Sequence, residues 1–348
     1  MKLFSNKSIF FVLILAMMVL SGWFGYNTFI SYNNYVSSQA NTKGSELTKK
    51  VNNLIDVLDQ EEVNSAVYFG SNGSKNFEKL KQARTDVDVA LKNVLSEIQK
   101  SSLKHLANTL TSLEKDLNFA RTKIDALNGD FGTIINDIYY QNIFQPLRSV
   151  VKSIADEDTS PTIKNYLQSY ALYVLPKENI NIEKSLVVAK VLSKTKMDNH
   201  ELEVWDNAII NESLPELDNL KDIKVKRALQ KVVSIDKYNK LALSNRIDVL
   251  YAARTGKYNT DIKEWSKKLN KKTEYILKSQ ELLNASVKSY IENNISSHKD
   301  VMVTNLIETI VSLLVFIILI FVYRNITKSD KLFESTLKDI ERVLNAEQ

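Results

Sequence analysis

The chain has 348 residues, 46 Lys and Arg against 41 Asp and Glu, a formal net charge of +5 and no cysteine. Its eight Gly and four Pro fall well below the usual ~7 % and ~5 %, which disfavours a turn-rich β protein. The absence of thiols excludes a disulfide framework and a thiolate metal site, and the small basic excess forms no block of the kind that grips nucleic acid.

In chain order, the first predicted element is the uncharged run Ser8 to Ile30, 23 residues. A helix rising 1.5 Å per residue needs roughly 20 to cross the hydrocarbon core, so this run can span. A cleaved signal peptide is the alternative, but the apolar stretch exceeds the usual ~7–15 residues and ends in no small-x-small site. A second run, Thr309 to Tyr323, lengthens to Val301–Tyr323 if Glu308 sits near an interface, where a carboxylate costs little. Lys2 and Lys7 precede the first span, Arg324, Lys328 and Lys331 follow the second, and no charge occurs between Ile30 and Lys43. The positive-inside rule therefore puts both ends in the cytoplasm and residues 31–303 outside it, in the periplasm of a Gram-negative cell.

Between the spans, Gly, Asn, Asp, Ser and Pro clusters mark helix ends at Gly70–Gly73, Gly129–Gly132, Asp156–Pro161, Lys194–Asn199, Asn211–Pro215 and Thr255–Thr260, which predicts seven helical segments. The first and last run directly into the spans. Heptad stripes appear at Leu103, Leu106, Leu110, Leu113, Leu117, Ala120, Ile124 and Leu127, and at Phe77, Leu80, Arg84, Val87, Leu91, Val94 and Ile98. They are out of phase at Ser101 and Ser102, where the helix kinks or restarts. A third stripe, Leu54, Leu58, Glu61, Ser65 and Tyr68, is interrupted by a carboxylate. A buried ion needs a partner, so Glu61 and Arg84 admit three readings: an interhelical salt bridge assisted by Asp88, the wall of a small-ligand site, or partly exposed boundary positions.

Enzyme chemistry finds no support. His105, His200 and His298 are scattered without metal-ligand spacing, no phosphate loop or nucleophile elbow occurs, and the adjacent Glu61 and Glu62 point to different helix faces. Trp205 and Trp265, with Tyr251, Tyr258 and Tyr275, read as core and interface anchors rather than an aromatic cage. After the second span, Phe333, Leu337, Ile340 and Leu344 are spaced four, three, four, the start of a coiled coil or a short surface helix.

Two segments resemble a known family. Leu54 to Phe69, followed by a Gly/Asn loop and Leu80 to Leu91, resembles the opening of nitrate- and nitrite-sensing (NIT) domains, with a Gln-x-Glu-Arg-Gly-x-Ser-Ala-x-Tyr stretch and then Arg-x-x-Thr-Asp-x-Ala-Leu. Lys177 to Ser185 is similar to the second hallmark, Lys-Glu-x-x-Gly-x-Glu-Arg-Ala. Matches fall at Glu61, Ser65, Ala66, Tyr68, Arg84, Asp88, Lys177, Glu178 and Glu183. The resemblance covers about residues 45–285 and implies an all-α fold of two stacked antiparallel helical bundles outside the membrane, flanked by two transmembrane helices. It implies a sensor of a small anion, upstream of a kinase, transducer, cyclase or antiterminator output, with candidate ligand-binding residues Glu61, Arg84, Asp88, Lys177 and Lys184. This sequence departs from the pattern at two arginine positions, now Glu62 and Lys184, and at two glycines, now Val63 and Asn181. A guanidinium fork suits nitrate better than an ammonium does, and Glu62 repels it, so the anion's identity stays open.

The expected organisation is a cytoplasmic N-terminus and first span (1–30), an extracytoplasmic sensor domain (31–303), a second span (304–323) and a cytoplasmic signalling helix (324–348). The expected partners are a small anion, the lipid bilayer, a second copy in a homodimer and a cytoplasmic output domain or protein, with no cofactor and no enzymatic activity. In the expected mechanism an anion near Arg84 and Lys184 shifts the chain between two bundle packings. A membrane-tethered helical adaptor or spacer that binds another protein is the alternative.

Overall fold

The computed structural model describes residues 6–157 and 160–346. Every regular element among them is helical: α1 (Asn6–Gly70), α2 (Phe77–Gln99), α3 (Ala107–Asp125), α4 (Phe131–Thr133) leading through a π-helical stretch (Ile134–Phe144) into α5 (Gln145–Glu157), α6 (Pro161–Ala171), α7 (Val174–Ser193), α8 (Asn199–Asn211), α9 (Ile223–Val232), α10 (Ile235–Lys240), α11 (Leu243–Ala253) and α12 (Ile262–Ala346). The expected all-α class is what is found. Lys2 and Gln348, Asp158 and Thr159 of one predicted break, and the side chains of Lys7 and Leu344 lie outside the described residues.

The chain forms two compact units, one of residues 1–40 with 292–348 and one of residues 41–291. In the first, the early part of α1 and the late part of α12 each carry a window long and apolar enough to cross a membrane, with mean hydropathies of 2.2 and 2.8. Phe11, Val19, Trp23 and Phe29 on α1 and Ile317 and Phe321 on α12 are exposed, an arrangement that suits lipid and would be costly in water. The seam between the two helices is polar: Thr28 and Thr309 share a hydroxyl hydrogen bond at 2.9 Å, and Asn305 donates to Ser31 Oγ at 2.6 Å. Further along α12, Phe333, Leu337 and Ile340 are exposed on the single chain.

The second unit is built on the predicted stripes. Leu54 and Leu58 of α1, Leu80, Val87, Leu91, Val94 and Ile98 of α2, and Leu110, Leu113, Leu117, Ala120 and Ile124 of α3 share one apolar core with the 134–154 region. Phe77 departs from its stripe. It opens α2, is exposed, and meets only the rim of the core through Tyr68, ring centroids 6.1 Å apart. At Ser101 and Ser102 the chain restarts rather than kinks, and Ser101 Oγ donates to Ile98 O and accepts from Leu103 N. The six predicted breaks all separate helices, but seven segments are too few. Further interruptions occur at 172–173, 233–234 and 241–242, where no Gly or Pro announces them; Val233 is extended and Ser234 caps α10 by accepting from Lys237 N. Trp205 and Trp265 are buried as expected, whereas Tyr251 is 79 % exposed and anchors nothing within this chain.

The π-helical stretch has a local cause. Pro146, two residues beyond it, cannot donate to the preceding turn and its ring crowds the carbonyl four residues back, so the helix widens ahead of it. The wider turn brings Ile134 with Ile135, Ile138 with Tyr139, and Ile143 with Phe144 onto the buried side. These pairs recur every four or five residues. Tyr139 is thereby aimed at Glu61, its hydroxyl 3.5 Å from a carboxylate oxygen.

Candidate functional site

Helix α7 is buried along most of its length although it carries Lys177, Glu178, Asn179, Asn181, Glu183, Ser185 and Lys190 on the buried surface. Such a helix is stable only if its polar groups find partners, and the surrounding helices supply most of them. Lys177 is held by Asp56 and, at 3.0 Å, Asp59 of α1. Glu178 takes Arg148 of α5. Glu183 accepts from Arg246 of α11 at 2.7 and 2.5 Å, and the same guanidinium reaches Glu212 at 2.6 Å, which also holds Lys272 of α12. Lys190 meets Glu201 and, at 3.6 Å, Asp130.

Lys184 differs from the other two lysines of α7. Among the described residues no carboxylate lies within ion-pair distance of it, and its ammonium reaches only Asn270 Oδ1 at 3.3 Å. It lines a cleft of about 460 Å³ between α1, α7 and α12, together with Lys177, Asp56, Asp59, Asn181 and Thr273. Burial holds the Lys184 ammonium below its ordinary value, against the opposing charges of Asp59 and Glu62. Burial likewise works against the charge on Lys177, but Asp59 and Asp56 overcome it and hold that ammonium above its ordinary range.

Behind the cleft sits Glu62, fully buried, beside the polar side chains of Ser185 and Asn181 but with no hydrogen bond of good geometry to either carboxylate oxygen. Burial, reinforced by the charge of Asp59, pushes its carboxyl up to about 8. Asp59 is raised too, by burial more than Lys177 offsets, and its Oδ1 is buried without a partner. Burial also lifts Glu178 to about 8 against the pull of Arg148, and Glu183 to about 7 against Arg246.

The five candidate residues do not share a site. Glu61, Arg84 and Asp88 gather at the α1–α2–α3 seam, but around Arg121. Arg121 donates to both Glu61 oxygens at 2.8 and 2.7 Å and to Asp88 at 2.7 Å. Arg84 stands 3.8 Å from Glu61 and is taken by Asp125 at 2.8 Å. The bridge from Glu61 to Arg84, one of the three readings of that pair, is a minor contact, because Arg121 reaches the carboxylate with a two-nitrogen fork. Arg84 does not line the cleft that holds Lys177 and Lys184, so an anion in that cleft is not shared between Arg84 and Lys184. Arg121 carries no signal in the sequence because it flanks the α3 stripe beside Ala120 instead of interrupting it.

The profile of a family described as nitrate and nitrite sensing matches residues 53–287, more than half of the chain. The chain belongs to the NIT family. The structure of the NasR transcription antiterminator is similar in fold, with a TM-score of 0.55 over 84 % of this chain and 82 % of that one, at 14 % identity. No curated protein matches the sequence. Within the NIT pattern, the two positions at which this chain departs from arginine, Glu62 and Lys184, lie within electrostatic reach of each other beside the cleft.

Proposed function

We propose that this NIT protein is a two-pass membrane sensor, with residues 31–303 in the periplasm, that binds a small anionic group at Lys184 in the cleft between α1, α7 and α12. The observation that carries the reading is the contrast along α7: Lys177 and Lys190 are neutralised by carboxylates, whereas Lys184 faces the cleft with only an amide oxygen. An ammonium left in that state is an anion site in waiting. Family membership and the two apolar helices support the same reading. Occupancy would bias the packing of α1 and α12, each of which contributes to the cleft and to a candidate span, and so reach a cytoplasmic output through residues 324–348 in a homodimer. The spacer reading draws support from the Glu61–Arg121 seam, which is closed, but it leaves the cleft and Lys184 without a purpose.

The test is calorimetric titration of the full chain in lipid nanodiscs with nitrate, nitrite and other small oxyanions. Saturable binding that Lys184→Met abolishes is expected. Absence of binding by every anion would leave only a helical membrane module.

A further inference from the structure

The cleft is where this chain parts from the NIT pattern. Val63, Asn181 and Lys184, three of the four departures, line it, and the fourth, Glu62, is buried behind it. Lysine in place of arginine gives up the planar guanidinium fork that suits a small inorganic oxyanion. Asn270 supplies a second donor, because its Oδ1 takes the Lys184 ammonium at 3.3 Å and its Nδ2 is left to donate beside it. Two adjacent donors of that kind meet the two oxygens of a carboxylate. Valine in place of glycine puts an isopropyl group on the wall, and Leu277 of α12 adds a second apolar side chain. Both are only partly buried, so they offer apolar surface for a ligand to cover.

Volume and charge narrow the class. The cleft measures about 460 Å³, roughly fifteen waters at about 30 Å³ each. An ion of three or four heavy atoms leaves most of that space wet and Val63 and Leu277 uncovered, whereas a small organic ligand fits it. Of the two lysines on the wall, Lys177 is already spent on Asp56 and Asp59, which leaves Lys184 for a ligand. A second anionic group would lie against two aspartates that share a single ammonium, where like charges oppose each other. The ligand that fits carries one negative charge and an uncharged body.

We propose that the cleft takes a short-chain monocarboxylate, its carboxylate on Lys184 and Asn270 and its aliphatic body on Val63 and Leu277. This rests on the sensor reading for the anion at Lys184 and deepens it by naming the ligand class.

Formate, acetate, propionate and butyrate, titrated at neutral pH against the full chain in lipid nanodiscs beside nitrate and succinate, decide the matter. Each methylene that becomes buried should tighten binding about fourfold. Butyrate should therefore bind about tenfold or more tightly than formate or nitrate, and more tightly than succinate, which matches it in carbon number but carries a second charge. Leu277→Gln should flatten the series by costing butyrate more than formate, and Lys184→Met should abolish binding of every member. Should Leu277→Gln fail to fold, the series in the native chain still decides. Nitrate, formate or succinate binding as tightly as butyrate overturns the monocarboxylate and leaves the anion sensor standing. No binding by any of these ligands, nitrate included, removes both.

Discussion

Glu61 shows how a single buried charge organises its surroundings. Fully buried on an apolar stripe, its carboxylate is met on both oxygens by Arg121, and Asp88 holds the far side of the same guanidinium. Removing one partner of a buried pair costs about 3–5 kcal/mol, because the other is left uncompensated. Arg121→Met is expected to destabilise the protein on that scale. Arg84→Met should cost much less, since Arg84 pairs mainly with Asp125, which is more than half exposed, and exposed ion pairs contribute little. Denaturant melts of the two variants check the order, and a larger loss for Arg84→Met would put the seam's weight on the wrong arginine. Glu62 makes a different prediction. Its carboxyl titrates at about 8 in the fold against an ordinary 4.5, so the native chain keeps a proton that the unfolded chain has released. Stability from this group is therefore full below about 4.5, declines as pH climbs to about 8, and is flat above. Glu62→Gln should raise the melting temperature by several degrees at pH 9 and change it little at pH 5. An equal effect at both pH values would refute the assignment.

At the scale of elements, α1 and α7 depend on a close backbone approach. Gly70 ends α1 against Ala189 of α7, and a Cβ at that position would lie 2.5 Å from the Ala189 carbonyl oxygen and 2.7 Å from its Cα. Both contacts are to backbone, which cannot swing aside, so Gly70→Ala should push the helices apart at a cost of about 1–3 kcal/mol. The expected readout is a lower melting temperature together with weaker ligand binding, because the cleft is walled by the same two helices; an unchanged melt would show that α1 tolerates the shift. The start of α8 is likewise tied to α7. Asp198 accepts from Glu201 N at 2.9 Å while Glu201 reaches back to Asp198 N at 3.1 Å, closing a capping box, and the same Glu201 carboxylate holds Lys190. One side chain thus caps the start of one helix and pins another.

At the scale of the whole molecule, a chain without cysteine is its own blank for labelling. A single cysteine replacing exposed Asn72 in the loop after α1 should react with a membrane-impermeant maleimide in intact spheroplasts, whereas one replacing Lys331 should react only after lysis. The reverse pattern would invert the proposed sidedness. The polar seam of the first unit also belongs at this scale. Hydroxyl and amide contacts between two apolar helices, such as Thr28–Thr309 and Ser31–Asn305, select a register without adding an apolar driving force.

Helicity, the two apolar helices and the stripes of α1, α2 and α3 were legible in the sequence, since periodicity and hydropathy are properties of neighbours along the chain. The same holds for the buried Glu61, which stood out as a carboxylate on an apolar stripe, and for Lys177 and Lys184, which the family pattern marked. Partner choice was not legible. Glu61 takes Arg121, sixty residues away, and Lys177 takes Asp56 and Asp59 across a still longer separation. Only packing decides which of several cations reaches a buried carboxylate with the right geometry. That Arg84 does not line the cleft of Lys184, and that among the described residues no carboxylate comes within ion-pair distance of Lys184, are likewise outcomes of the tertiary fold, because whether a charge is spent or free depends on what the other helices bring to it.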